Sequence, residues 1–281
     1  MRSWKVSPQC PQVAKFIDCY WLLEKQPGDT SPCFPKLNPD PAAHLIIASK
    51  VQPFRYSQQH SEYVGAGCHL IYPHKSTFVI DHSAPFLVLG IKFKVGALYA
   101  LKLTEKLSKN NAAIDLLDSI ESVAKIAPLA DICWLPIFAE TLAQPEKLAL
   151  LLDAQLQDLV EEAQWDRHSL LVSKILPMTE ITKLSVMAAQ LDCSVRTLER
   201  SFSKVTGFSI KQYQSMNRLE AVLQYLYQRE NSAINWSDVA VRFGFSDQPH
   251  LIHTIKTALG ATPGSYAKKR DLTIDAYGNF E

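Results

Sequence analysis

The run SVRTLERSFSKVTGFSIKQYQSMNRLEAV, residues 194 to 222, returns in altered form within INWSDVAVRFGFSDQPHLIHTIKTALGATPGSY, residues 234 to 266. At a shift of 53 positions Ser194 falls on Asp247, Leu198 on Leu251, Arg200 on His253, Phe202 on Ile255, Gly207 on Gly260, Ser209 on Thr262 and Tyr213 on Tyr266. Just upstream, Ala188 and Leu191 meet Ala240 and Phe243 at a shift of 52, so the second copy carries one extra residue in its turn. Two copies of one small helical unit are implied.

Each copy has the parts of a helix-turn-helix. In the first, a short amphipathic helix near Lys183 to Leu191 meets a turn at Asp192-Cys193, and Ser194 then caps a second helix over Val195 to Val205. Its side-chain oxygen can accept from an orphan backbone N–H, and Gly207 can take the left-handed conformation that closes the helix. Ala188 is small enough to let two helices cross closely. Leu198, Phe202 and Val205 fall on an inward stripe, while Arg196, Thr197, Glu199, Arg200, Ser203 and Lys204 form a polar, basic outer face suited to a major groove. The second copy runs Ser237 to Phe243, turns at Gly244-Phe245-Ser246, and continues from the cap Asp247 to about Ala258, with Thr262-Pro263 opening a closing helix. Ile210 to about Gln228 reads as one helix of roughly 19 residues, or about 28 Å, between the copies. Such a rod can hold two recognition helices about one DNA turn, roughly 34 Å, apart.

Charge supports the same segment. The chain has 281 residues and a net charge of only +1, yet Arg167 to Arg270 contains 14 basic against 7 acidic residues, leaving the rest of the chain acidic. A local basic excess is what a phosphate-binding surface needs, although a solvated basic face gives the same count.

This pair of runs, with VAVRFGFSDQ followed by His, Lys, Gly and Thr-Pro, resembles the DNA-binding domain of the AraC/XylS family of bacterial transcription regulators over about 100 residues. The resemblance implies that the first recognition helix reads bases and the second contacts bases or backbone. It also implies that the N-terminal domain binds an effector or mediates self-association. By position, base contacts fall on Arg196, Thr197, Glu199 and Arg200 in the first unit, and on Gln248, Pro249, Ile252 and His253 in the second. Phosphate contacts are expected at Lys183, Ser194, Lys204, Lys211, Arg218, Arg242, Asp247, His250, Lys256 and Lys268. The second unit departs from the family pattern, with Pro249, Leu251, His253 and Ile255 where Ser, Phe, Arg and Phe are usual. Neither Pro nor Ile offers a side-chain hydrogen bond, so sequence would be read mainly by Arg196 and Arg200. Glu199 could accept from cytosine N4, or simply repel phosphate.

The first part of the chain is β-rich. Short runs at 16 to 25, 44 to 50, 63 to 72, 76 to 83 and 85 to 94 are separated by Pro, Gly, Asn and Asp, which suggests an antiparallel barrel or jelly roll. By architecture alone it resembles the cupin-like sensor domains of the same family. After Val95 the apolar residues Leu98, Leu101, Leu116, Leu117, Ile120, Val123 and Ile126 fall three and four apart, and the remainder reads as helical. Leu148, Leu152, Leu156, Leu159 and Ala163 stripe a helix from about Pro145 to Gln164, either for a twin in a homodimer or for the barrel itself. The fold class is thus α+β. Residues 1 to 165 form a sensor or oligomerisation domain, 166 to 270 a double helix-turn-helix, and 271 to 281 an acidic tail.

No catalytic site, metal or cofactor is expected. Six widely spaced cysteines give no CxxC pair and read as reduced, packed thiols. Five histidines between 44 and 82 could surround a metal in a cupin, but a strand His more often meets a turn or water, and Asp166 and His168 read as solvated linker. The expected partners are double-stranded DNA, RNA polymerase and an unidentified small effector. The competing reading is a metal-dependent cupin-type enzyme, or a ligand-binding protein with a degenerate helix-turn-helix module. With no apolar leader after Arg2 and no run approaching a membrane span, a cytoplasmic place is expected.

Overall fold

A continuous apolar run, rather than an alternating one, marks a strand covered on both faces, and Ile17–Lys25 is such a run. In the computed structural model, which describes residues 1 to 58, 61 to 105, 113 to 132, 134, 144 to 179, 183 to 227, 234 to 260 and 262 to 268, it lies inside a three-layer N-terminal part. The strands are β1 (Arg2–Val6), β2 (Ile17–Lys25), β3 (Lys36–Leu37), β4 (His44–Ala48), β5 (Pro53–Gln58), β6 (Ser61–Ala66), β7 (His69–Ile71), β8 (Phe78–Ile80), β9 (Phe86–Phe93) and β10 (Ile120–Ser122). Two antiparallel sheets result, ordered β1-β2-β9-β4-β7-β10 and β3-β8-β5-β6.

The two-residue period of a strand separates two cores. Cys19, Trp21 and Leu23 of β2, Ile46 of β4 and Val88 of β9 point to the smaller sheet, where they meet Leu37, Tyr56, Phe78 and Ile80. Tyr20, Leu22, Leu45, Ile47, Leu89 and Ile91 point the other way, onto a helix. Single turns α1 (Ala97–Ala100) and α2 (Ala127–Ala130) lead to that helix, α3 (Pro145–Glu161). Asp153 on α3 is buried and accepts from the backbone N–H groups of Gln9 at 2.7 Å and Cys10 at 2.6 Å, and from the Tyr20 hydroxyl at 2.6 Å. The chain's N-terminal arm is thereby tied to the helix.

Several sequence expectations change here. The β part is antiparallel, but no closed barrel forms among the described residues. The sheet edges remain separate because the two sheets share no strand pairing. Ile120, read as helical, sits in β10, where pairing with β7 through Ile120↔Ile71 outweighs the local period. The leucine stripe is not free for a twin, since Leu148, Leu152 and Leu156 are fully buried against this chain's own sheet. Of the histidines, His44, His69, His74 and His82 are buried rather than facing water, and two meet a neighbouring carbonyl as the turn reading has it, His69 Nδ1 at Gly67 O and His74 Nδ1 at Ser76 O; His60 lies outside the described residues. Among the described residues no group of three or more His, Cys, Asp or Glu is placed to hold a metal. Of five described free cysteines, Cys33 is exposed rather than packed, and Cys133 lies outside the description.

The C-terminal part is built from α4 (Arg167–Ile175), α5 (Leu184–Gln190), α6 (Val195–Thr206), α7 (Ile210–Tyr227), α8 (Trp236–Arg242), α9 (Gln248–Leu259) and α10 (Pro263–Lys268). No described helix is long and apolar enough to cross a membrane.

Burial lowers His69, His74 and His82 to about 4, so all three fold as neutral imidazoles. The unfolded chain, with histidines near 6.5, then binds more protons between about pH 6.5 and 4. Stability carried by these groups is present above that window and lost as pH falls through it. Calorimetric melting should show a falling midpoint from about pH 6.5 toward 4; a flat midpoint would mean that these rings are not buried neutral.

Candidate nucleic-acid interface

The two helix-turn-helix units repeat each other in geometry. Ser194 accepts from the Thr197 N–H at 3.1 Å and Asp247 from the His250 N–H at 2.7 Å, each capping the second helix of its unit. The turn before each cap is closed by the same bond, Cys193 N–H to Ala188 O at 3.0 Å and Phe245 N–H to Ala240 O at 2.9 Å. Asp192 and Gly244 hold positive φ of 48° and 70° at the matching turn position. The extra residue of the second turn is thus Ser246. Leu198 and Leu251, and Phe202 and Ile255, are completely buried pairs, while Gly207 and Gly260 end their helices at φ of 82° and 66°. Between the units α7 spans 18 residues.

On the first recognition helix, α6, Arg196, Thr197 and Arg200 are exposed. Arg196 and Arg200 share a groove of about 510 Å³ with Arg167, Leu170, Leu171 and Lys174 of α4. Four cations therefore line one cleft, and none forms an ion pair with a carboxylate among the described residues. Arg167 and Lys174 were missed by the sequence reading. Their signal was the spacing of Leu171, Val172 and Ile175, which marks a helix where a linker was read.

Asp166 and His168 are not solvated linker. Asp166 closes a capping box with Ser169 and also accepts from the Tyr99 hydroxyl at 2.8 Å. His168 is buried against α6 with Nδ1 3.0 Å from Ser201 Oγ. Burial, joined by Lys204, Arg167 and Arg200, pushes its pKa down, so it supports α6 as a neutral ring.

The remaining expected contacts divide. Glu199 is half-buried and its carboxylate accepts from Ile210 N–H at 3.3 Å, so it caps α7 rather than standing free on the outer face. Arg218 donates to Gly244 O at 2.8 Å and lies 5.5 Å over Phe245, bracing α7 against the second turn. Arg242 stacks on Tyr225 at 4.6 Å, and Lys204 sits 5.7 Å over Tyr99. Gln248 accepts from Ser237 Oγ at 3.0 Å, and His250 is held by Ser246 at 3.0 Å. The oxygens of Ser194 and Asp247 are occupied as caps. Lys183, Lys211, Pro249, His253 and Lys256 are exposed and Ile252 is half-buried; the side chain of Lys268 lies outside the description. The structure thus brings Arg196 and Arg200 together, and leaves the second helix with His253 and Lys256 as its free polar face.

Each unit buries its own apolar face while offering a capped helix outward, basic in the case of α6, which is the construction of a helix-turn-helix domain. Residues 187–269 match the family model described as Helix-turn-helix domain, and residues 5–108 match a domain of unknown function (DUF6597). The chain thus carries a helix-turn-helix domain behind a β-rich N-terminal part. No curated protein matches the chain. Among solved structures it is similar to ToxT from Vibrio cholerae, at 10% identity over 97% of this chain and 98% of that one, with a TM-score of 0.44. Another is ToxT from Vibrio cholerae strain SCE256 with an unsaturated fatty acid bound, at 9% identity over 99% and 96% and a TM-score of 0.43. The DNA-binding domain of AdpA in complex with a target DNA is similar at 27% identity over 37% of this chain and 92% of that one, with a TM-score of 0.30.

A methyl group at Gly207 would meet the Leu117 side chain at 2.8 Å in addition to the left-handed strain, whereas at Gly260 it would meet nothing within 4 Å. Gly260→Ala should cost about 1 kcal/mol, and Gly207→Ala clearly more than the roughly 1 to 2 kcal/mol of strain alone. Urea midpoints of the two variants check the order; equal costs would contradict the packing at Leu117.

Proposed function

We propose that the protein binds double-stranded DNA sequence-specifically and responds to an effector through its N-terminal domain, in the cytoplasm of a bacterial cell, with RNA polymerase as the partner it meets at a promoter. The observation that carries the reading is the cleft in which Arg196 and Arg200 stand exposed beside Arg167 and Lys174, four cations unneutralised within the described chain. Phosphate supplies the missing charge, and the guanidinium fork of Arg196 or Arg200 suits the O6 and N7 edge of guanine. On this reading Arg167, Lys174, Lys183, Lys211 and Lys256 hold backbone. The second unit, with Pro249 and Ile252 on its outer side, grips more than it reads.

Support for response through the N-terminal domain comes from where the recognition helices end. At the end of α6, Gly207 packs on Leu117, and Val205 lies beside Gly96. At the equivalent end of α9, Thr77 Oγ1 donates to Ala258 O at 2.6 Å and Lys36 Nζ to Leu259 O at 3.2 Å. Both helices thus rest on the β-rich part by their carbonyl ends, which leaves their capped starts outward. On this account the 1 to 165 and 166 to 270 units act as one device and not as beads on a linker.

Arg196→Ala and Arg200→Ala should each lose about 1 to 3 kcal/mol on the best duplex and far less on random duplex. Fluorescence anisotropy with both duplexes decides it. An equal loss on the two would make these residues phosphate contacts and remove the specificity claim.

A further inference from the structure

Between the two sheets lies a cavity of about 250 Å³, away from the basic cleft. Its rim is exposed Pro53, Val64, Ser83 and Ala84, and its floor includes Tyr56, His69, His82 and Phe86. Drug-sized ligands occupy roughly 300 to 1,000 Å³, so an occupant here is smaller, of one or two rings.

The walls are flat. The Phe54 and His69 rings stand 3.9 Å apart at 34°, and the His82 and Phe86 rings 4.1 Å apart at 37°. Phe54 is held in place because its strand partner is Gly65, where a Cβ would come within 2.5 Å of the ring. Two ring pairs around a slot favour a planar guest that can stack.

Its polar atoms are nearly all committed. His69 uses Nε2 with the Tyr56 hydroxyl at 2.8 Å and Nδ1 with Gly67 O at 2.9 Å. Arg55 is paired with Glu62 at 2.9 Å, Asp81 accepts from Ser83, and Lys25 donates to His82 O at 2.8 Å. The charges left, the Asp81 carboxylate and the buried Lys25 ammonium, act on His82 with opposite signs, so the slot carries no net charge to meet a charged guest. His82 differs: it is 5% exposed, and its Nδ1 is buried without a hydrogen-bond partner among the described residues. A buried polar atom in that state is costly, and a guest that bonds it recovers the cost.

The slot is also wired to the DNA-binding part. Ile80 to Ser83 line it, and three residues before Ile80, immediately ahead of β8, Thr77 holds the end of α9. Lys36, the other grip on α9, pairs with Val79 in the middle of the same strand.

We propose that this slot is the effector site, that it takes a small uncharged planar ring compound with one hydrogen-bonding group on His82 Nδ1, and that β8 carries its occupancy to α9. The coupling rests on the regulator reading above, while the binding half stands without it.

The test is calorimetric titration of the full chain with indole and phenol as uncharged planar probes, against benzoate and benzylamine as charged ones and cyclohexanol as a non-planar one. Saturable binding of one indole or phenol per chain is expected, with the other three at least about tenfold weaker. His82→Phe should weaken the uncharged rings about tenfold, the value of one hydrogen bond. Ala84→Trp, an exposed rim change that leaves the core intact, should abolish binding. No saturable binding of either planar probe, equal binding by Ala84→Trp, or preference for benzoate overturns the site. For the coupling, saturating probe should change DNA affinity in the native chain and not in Thr77→Val, which should bind the probe normally. Probe bound with DNA affinity unchanged in the native chain overturns the coupling alone. A chain that binds the probe and no DNA at all overturns the regulator reading and leaves the site standing.

Discussion

Repulsion among Arg167, Lys174, Arg196 and Arg200 is the constraint around which the C-terminal part is organised. Four like charges in one groove oppose folding in proportion to how closely they are held, and only screening by solvent makes the free protein tolerable. The chain nevertheless holds them firmly. Asp166 caps α4, His168 and Ser201 lock α4 to α6, and Leu198, Phe202, Val172 and Ile175 share one core beneath the groove. A neutral imidazole at the seam adds no further positive charge. Such an arrangement gains its return when an anion enters, which is why the groove is the face proposed for DNA.

Rigidity at the other end of the recognition helices complements this. Both α6 and α9 terminate on left-handed glycines, and both terminations are covered by the β-rich part, through Leu117 in one case and Thr77 with Lys36 in the other. Nearby, Asp40 is bonded by Lys92 at 2.9 Å and His44 at 3.0 Å. Burial works against its ionisation, yet Lys92 and His44 outweigh that and hold the carboxyl below the usual range. Asp40 thereby ties β4 and β9 together by charge as well as by packing.

Much of this was legible in the sequence because it is local. Caps at Ser194 and Asp247, glycines at 207 and 260, small residues at 188 and 240 and the inward pairs are set by neighbours within a few residues, and a repeat shows them twice. The antiparallel strands were visible as apolar runs, but their closure was not, since whether a sheet meets itself depends on edges far apart in the chain. Ile120 went to a strand because β7 offered it a partner. Glu199 and Arg218 hid part of their surroundings for a related reason: both look like free surface charges along their helices, and only the neighbouring helix reveals that one bonds the start of α7 and the other braces a turn. The Asp166-to-Ser169 capping box was readable in the sequence and would have exposed α4, with Arg167 and Lys174 on it.

The most direct test of the central claim is selection of bound sequences from random duplex DNA by the full chain at about 150 mM salt, with Arg200→Ala alongside. The account predicts an enriched motif with one strongly specified major-groove segment and a weaker neighbour about one helical turn away, the strong segment fading in the variant. Enrichment that is absent, or unchanged by Arg200→Ala, would contradict it.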